Sequence, residues 1–388
     1  MSKRFGMVYF DNFTNEDFVW GLLLTGREAE IIDTNILRES CSEEDALALA
    51  AALKEKAIDV AVSFNFSPAL SDACMQLGIP YIGWSFDAPL QTFYEEQVKN
   101  DCNYIFTFDK VQLEQIKKSG GKNVYYMPLS SNTYRNRSLE ITGADKVKFG
   151  CDVSFIGSLY SVSSYDDAIK VVSRQTADEM ESICKDILGK WVEDRQVYGR
   201  LSEDAIEEIK RYYSNDTAMD DDALYTTALL TRHIAYLERH EMLKRLSAMD
   251  MDFRFHSSDV VTDIPGLETR GRLDYIEELP KAYKFSRINM NITIPGITSG
   301  VPLRVFDIMG MGGFALTNYQ PEVEELFSPG KDIEVYHDFD EMEEKVRYYL
   351  GHEGERIRIA RAGGETIARN YTVEKQVSKI LSIVGQGL

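Results

Sequence analysis

No stretch of the 388-residue chain reaches 18 uninterrupted apolar residues, so no segment is long enough to span a bilayer as a helix. The short apolar run Phe5–Phe10 ends at Asp11, too soon for the core of a signal peptide, and no small-residue cleavage site follows it. The five cysteines (Cys41, Cys74, Cys102, Cys151 and Cys184) are scattered, odd in number and never spaced as CxxC. That excludes a disulfide framework or a zinc-ribbon pattern and fits thiols in a reducing compartment, so a cytoplasmic location is expected. Basic residues are in the minority, 43 against 63 acidic, for a formal net charge of −20. Such a balance disfavours nucleic acid and anionic membrane surfaces as partners. No glycine-rich dinucleotide fingerprint follows Phe10, which argues against a dehydrogenase. Internal repeats and low-complexity tracts are also missing.

What the chain does have is the composition of a folded protein, 44% hydrophobic and 27% charged, at a length suited to two domains. Over the first 130 residues apolar strands alternate with helices: Phe5–Phe10, Asp17–Leu24, Ala29–Ile32, Glu43–Lys56, Ile58–Phe64, Pro68–Leu77, Ile79–Trp84, Tyr104–Phe108, Lys110–Lys118 and Val124–Met127. Strands that are apolar throughout are buried on both faces, the mark of a parallel, doubly wound sheet. Ligands of such sheets sit beyond the carboxyl ends of the strands, which draws attention to Asp11–Phe13, Asn65, Ser85–Pro89 and Asp109. Polar residues 136–150 read as a linker. A second α/β unit then runs from 151 to 371, with a mainly helical insertion over about 163–248. In it the pattern predicts a helix over Tyr275–Tyr283, a strand over Ile288–Ile292 and a helix over Leu303–Met311. The expected division is therefore a first domain over 1–135, with the closing helix 372–388 placed to pack back on it, and a second domain over 151–371.

The segment Asn289–Gly313, NMNITIPGITSGVPLRVFDIMGMGG, carries the clearest chemistry. A strand gives way to a loop with Pro295, Gly296, Ser299, Gly300 and Pro302, and a helix starts at Leu303. Exposed amides at a helix start, with the dipole behind them, suit a diphosphate. Arg304 in the first turn offers a fork of donors to phosphate. Asp307, three residues on, shares its helical face and suits two ribose hydroxyls. An ordinary connection between helix and strand with a surface Arg-Asp pair would look the same, and the residues alone leave that choice open.

Residues 298–327, TSGVPLRVFDIMGMGGFALTNYQPEVEELF, resemble the signature of the CgeB-like glycosyltransferases, a family named for a spore-maturation protein. Gly271-Arg272-Leu273-Asp274-Tyr275, Leu279-Pro280, Tyr283 and Ile288–Thr293 are similar to that family as well. Tyr81–Leu90 with Tyr104–Asp109 and Met127-Pro128-Leu129 resembles its usual N-terminal partner domain. The resemblance implies a GT-B fold, two Rossmann-like parallel-sheet domains facing across a cleft, the second holding a nucleotide sugar and the first an acceptor. By it Arg304 meets the diphosphate, Asp307 the ribose, and Thr298, Ser299, Gly300 and Val301 the sugar. Gly157 and Ser158 form a second phosphate-facing loop, and Arg272 and Leu273 edge the base. Retaining relatives carry an acid eight residues before the ribose-binding one; here that residue is Ser299.

The implied reaction is transfer of a sugar from a nucleoside-diphosphate sugar, a UDP-sugar preferred, to a hydroxyl of a glycan or protein acceptor, without cofactor or metal. A nucleotide-sugar 2-epimerase and a non-catalytic nucleotide-sugar-binding protein are the alternatives. For the general base Asp87 leads, flanked by Trp84 and Phe86 as acceptor-side surfaces; Asp11, with Asn12 beside it, is the fallback. Asp87 also suits a simple turn cap. His256, at a strand end, is placed for the nucleotide. His233 and His240 share a helical face without a third ligand. The three D-x-D matches (Asp220–Asp222, Asp250–Asp252 and Asp338–Asp340) read as helix and strand boundaries in an acid-rich chain. Oligomeric state is not encoded in any pattern found.

Overall fold

A computed structural model describes residues 3–10, 15–161, 164–192, 195–215 and 217–386. It divides into two compact units: 1–132 with 216–219 and 371–388, and 133–215 with 220–370.

In the first unit six strands form one parallel sheet: β1 (Phe5–Tyr9), β2 (Ala29–Asp33), β3 (Val60–Phe64), β4 (Tyr81–Trp84), β5 (Asn103–Thr107) and β6 (Val124–Tyr126). Their order is β2-β1-β3-β4-β5-β6. β3, β4 and β5 are buried at every position, which is why they read as unbroken apolar runs. Their helices begin on short polar side chains: Ser42, Ser67 and Asp109 each accept the amide three residues on. The helix Val373–Gln386 lies against Asn15–Leu24, close enough that a Cβ at Gly21 would stand 2.5 Å from Val377.

The second unit holds the parallel sheet of β7 (Cys151–Ile156), β8 (Phe253–His256), β9 (Ser286–Asn291), β10 (Ala315–Asn318) and β11 (Glu334–Tyr336). Read from the opposite edge, its order is β8-β7-β9-β10-β11, so the strand order reverses between β7 and β9. That reversal opens a crevice at the carboxyl ends of these two strands. One core cluster packs on the sheet and includes Phe155, Phe255, Ile288, Met290 and Tyr336. The inserted helices have a separate core around Tyr165, Met180, Ile183, Ile209 and Leu229. A π-helical turn, Thr226–Thr231, leads into the long helix Arg232–Ser247, which serves both: Ile234 sits in the inserted core, Met242, Leu243 and Leu246 in the other.

Two sequence expectations are corrected. Residues 136–150 are not bare linker: they take part in the helices Thr133–Ser138 and Gly143–Phe149 of the second unit, the latter held by a capping box between Thr142 and Asp145. The helix expected over Tyr275–Tyr283 is Leu279–Phe285. The Asp274 carboxylate accepts the amides of Ile276 and Glu277, fixing a turn there, and Pro280 suits the first helical turn.

Candidate functional site

The loops after β7 and β9 meet at the crevice of the second sheet, and side chains from the strand ends brace them. Asn291, the last residue of β9, is completely buried. Its amide nitrogen donates to Thr293 Oγ1 (3.1 Å) and Thr317 Oγ1 (2.8 Å), and its carbonyl accepts from Tyr336 Oη at 2.7 Å. This fixes the amide oxygen, which accepts from Arg304 Nη1 at 2.7 Å. The Arg304 guanidinium lies 5.5 Å from the Phe155 ring centroid, and a Cβ at Gly157 would stand 2.5 Å from its Nη2. Glycine therefore leaves the space the guanidinium fills, a requirement the sequence alone did not reveal. Among the described residues no carboxylate pairs with Arg304.

Arg304 belongs to the helix Leu303–Gly310, whose N-terminus no side chain caps; Pro302 precedes it in extended conformation. First-turn amides without a capping side chain, beside an arginine without a carboxylate, suit a compact anion. Asp307, one turn along the helix, is 7% exposed and accepts from Tyr275 Oη at 3.3 Å. The Arg135 guanidinium covers the Tyr275 ring at 4.8 Å. Gly313 closes the connection: a Cβ there would meet the Tyr283 carbonyl at 2.7 Å and Asn289 Nδ2 at 2.8 Å.

The loop between β9 and that helix is fastened to the segment after β10. Thr293 donates its amide to Asn318 Oδ1 (2.7 Å), Gln320 Nε2 reaches the Ile297 carbonyl (3.0 Å), and Ser299 Oγ donates to Glu322 Oε1 (2.7 Å). Glu322 is 1% exposed, so a buried carboxylate stands beside Ser299. Sequence reasoning missed it, because the acid lies 23 residues from its serine. Gly300 and Val301 are buried and Thr298 half-buried, while Ser158 is exposed after β7. His256 ends β8 with Nδ1 buried and without a hydrogen-bond partner; burial, then the nearby Arg270, lowers its pKa. Arg272 is exposed and Leu273 half-buried on the following stretch.

In the first unit the carboxyl ends of β3 and β4 are joined through Asn65, a buried residue at φ +57°. Its Oδ1 accepts the amides of Phe86 (2.9 Å) and Asp87 (3.2 Å), and its Nδ2 donates to Asp87 Oδ2 at 2.7 Å. The Asp87 carbonyl accepts from Ser85 Oγ and Gln112 Nε2. The Asp87 side chain is thus exposed but oriented, and it bonds to Asn65 rather than capping the next turn. Trp84 is only 1% exposed, enclosed by Phe18, Phe64 and Phe86, so it supports Phe86 from beneath. Asp11 and Asn12 lie outside the described residues.

The D-x-D carboxylates have local work. Asp220 and Asp338 cap helices, Asp221 pairs with Lys210, Asp252 with Arg254 and Asp340 with Arg245. His233 stacks on Tyr165 at 3.7 Å, and His240 bonds Asp263. No helix among the described residues is long and apolar enough to cross a membrane.

Comparison with known proteins adds three observations. Residues 232–382 match a family model described as glycosyl transferase-like. No curated protein matches the chain in sequence. Among solved structures, a glycosyltransferase from Rickettsia africae ESF-5 is similar at 10% identity and TM-score 0.56, over 99% of each chain. Anabaena HepE in complex with UDP-glucose is similar at 11% identity and 0.56, again over 99% of each. A putative UDP-N-acetylglucosamine 2-epimerase from Listeria monocytogenes is similar at 10% identity and 0.51, over 100% of this chain and 97% of that one. At these identities the likeness concerns the fold, which is GT-B: two Rossmann-like parallel-sheet domains.

Proposed function

We propose that this chain transfers a sugar from a nucleoside-diphosphate sugar, a UDP-sugar preferred, to an acceptor hydroxyl. The observation that carries the reading is Arg304: a guanidinium without a carboxylate partner, set by Asn291 in the first turn of an uncapped helix, at the switch point of the second sheet. The diphosphate occupies that helix start, with Gly157 and Ser158 facing it, and Asp307 receives the ribose hydroxyls. Thr298–Val301 face the sugar, and His256, Arg272 and Leu273 edge the base. The glycosyl transferase-like match over residues 232–382 supports this, as does the UDP-glucose held by HepE on the same fold.

In the reaction the acceptor oxygen bonds to the anomeric carbon as the bond from that carbon to the diphosphate oxygen breaks. The diphosphate leaves with the electron pair, its charge met by Arg304 and the helix amides. The hydroxyl proton passes to a base, assigned to Asp87, which Asn65 orients. This chemistry needs neither metal nor cofactor. The CgeB-like signature favours a glycan or protein acceptor in a cytoplasmic setting. A 2-epimerase is similar in fold and is separated by its products.

A thermal-shift screen against UDP-, GDP- and dTDP-sugars tests the reading, since a bound donor raises the melting temperature by mass action. One nucleotide sugar is expected to stabilise the wild type, and Arg304→Ala and Asp307→Ala to abolish the shift. Unchanged shifts in both variants overturn the donor site; an epimerised donor as product overturns transfer.

A further inference from the structure

The crevice holds a second arginine that the donor-site reading does not use. Arg239, in the middle of the helix Arg232–Ser247, is 3% exposed. It donates through Nη1 to the Ser158 carbonyl and through Nη2 to the Ile292 carbonyl at 3.0 Å. One side chain thus ties the loop after β7 to the end of β9, the same two strands between which the sheet order reverses. Its Nε is buried without a hydrogen-bond partner. Its guanidinium lies 5.6 Å from the Phe155 ring centroid, on the ring that Arg304 also approaches, and 4.7 Å from that of Tyr160. Tyr160 stands at φ +61°, a conformation uncommon for a residue with a side chain and one that costs free energy to hold.

Charge makes this arrangement informative. A buried arginine is expected to have a carboxylate partner. The adjacent Glu238 is fully buried, but its Oε1 is taken by Arg195 and by the Gly189 amide. Among the described residues no carboxylate pairs with either Arg239 or Arg304. Burial, and after the favourable Tyr160 contact the repulsion of Arg304, lowers the Arg239 pKa to about 10. Two like charges approaching one aromatic ring without a carboxylate leave a deficit of negative charge. A nucleoside monophosphate brings about −2 on a single phosphate, whereas a diphosphate brings more negative charge and spreads it over two groups that can meet the two guanidiniums.

We infer that Arg239 is a positioning residue that holds the Gly157-Ser158 loop and adds a second positive charge to the crevice, setting a preference for nucleoside diphosphates over monophosphates. The inference rests on the donor-site reading above. The measurement is the ratio of UMP to UDP dissociation constants, by calorimetry on the full chain, for the wild type, Arg239→Lys and Arg239→Met; GDP and dTDP with their monophosphates replace the uridine pair if they bind more tightly. The methionine variant is expected to lose about tenfold or more in the ratio, while the lysine variant retains most of it although it loses one carbonyl contact. Melting temperatures of the unliganded variants show whether each is folded, and the lysine variant stands alone if the methionine one is not; a lysine variant whose ratio has collapsed while folded overturns the charge assignment. A methionine variant whose ratio matches the wild type, with or without weaker binding of both ligands, overturns the inference and leaves the donor site intact. A wild type that binds none of the three diphosphates overturns the donor site and this inference together.

Discussion

Ser299 gives its hydroxyl hydrogen to the Glu322 carboxylate at 2.7 Å, and the Glu322 amide returns a bond to the Ser299 carbonyl at 3.1 Å. A reciprocal pair of this kind pins the loop before the Arg304 helix to the segment after β10. It also places a buried carboxylate directly beside Ser299. Ser299→Ala removes one donor from a buried carboxylate, which is expected to cost about 1–3 kcal/mol. The urea midpoint should fall accordingly, and Glu322→Gln, which keeps an acceptor oxygen, should cost less than Glu322→Ala. An equal loss in both Glu322 variants contradicts the assignment.

Gly157→Ala tests the space beside Arg304. The new Cβ would lie 2.5 Å from Nη2, so the guanidinium must move off Asn291. Affinity for the preferred nucleoside diphosphate should fall by about tenfold or more. In the Arg304→Ala background the same substitution should change affinity no further, because its target is gone. Additive losses in the double variant would falsify this route.

Asp87→Asn keeps the shape of the side chain and removes the base. The turnover of transfer is expected to drop by about 10²–10⁴, with donor affinity unchanged. Asn65→Gly tolerates the left-handed backbone but removes the bond that orients Asp87, so an intermediate turnover is expected. Wild-type turnover in Asp87→Asn would remove Asp87 from the mechanism.

Acid should weaken the second unit through two histidines. Burial is the main cause of a lowered pKa at both His233 and His256. The unfolded chain therefore binds protons more readily than the folded one, and stability falls as the pH drops from about 6.5 toward the folded values. Their contribution is complete above that point. Urea midpoints measured between pH 8 and 5 should show the decline, and His233→Phe, which retains the stack on Tyr165, should flatten it. A variant curve parallel to that of the wild type rules out His233 as a source.

The sequence pattern located the central strands because β3, β4 and β5 of the first unit are buried on both faces, a condition that leaves a plain apolar run. The placement of Arg304 and Asp307 on one helix was legible from their spacing, three residues apart. What escaped depends on contacts between distant segments. Glu322 meets a serine 23 residues away, and Arg239 two carbonyls just beyond the ends of other strands. The helix near 275–283 was displaced because a single Asp274 turn outweighed a run of good helix formers. Trp84 looked like a binding surface beside Asp87, yet alternation along the chain does not show which aromatic lies beneath and which above.

The two cores of the second unit have a consequence for how it comes apart. Tyr165, Met180 and Leu229 pack in one and Phe155, Met290 and Leu246 in the other, with the helix Arg232–Ser247 shared between them. Amide hydrogens in the inserted helices can therefore exchange through an opening that leaves the sheet closed. Such an opening loosens the end of the helix on which Arg239 sits, because Ile234 of that helix belongs to the inserted core.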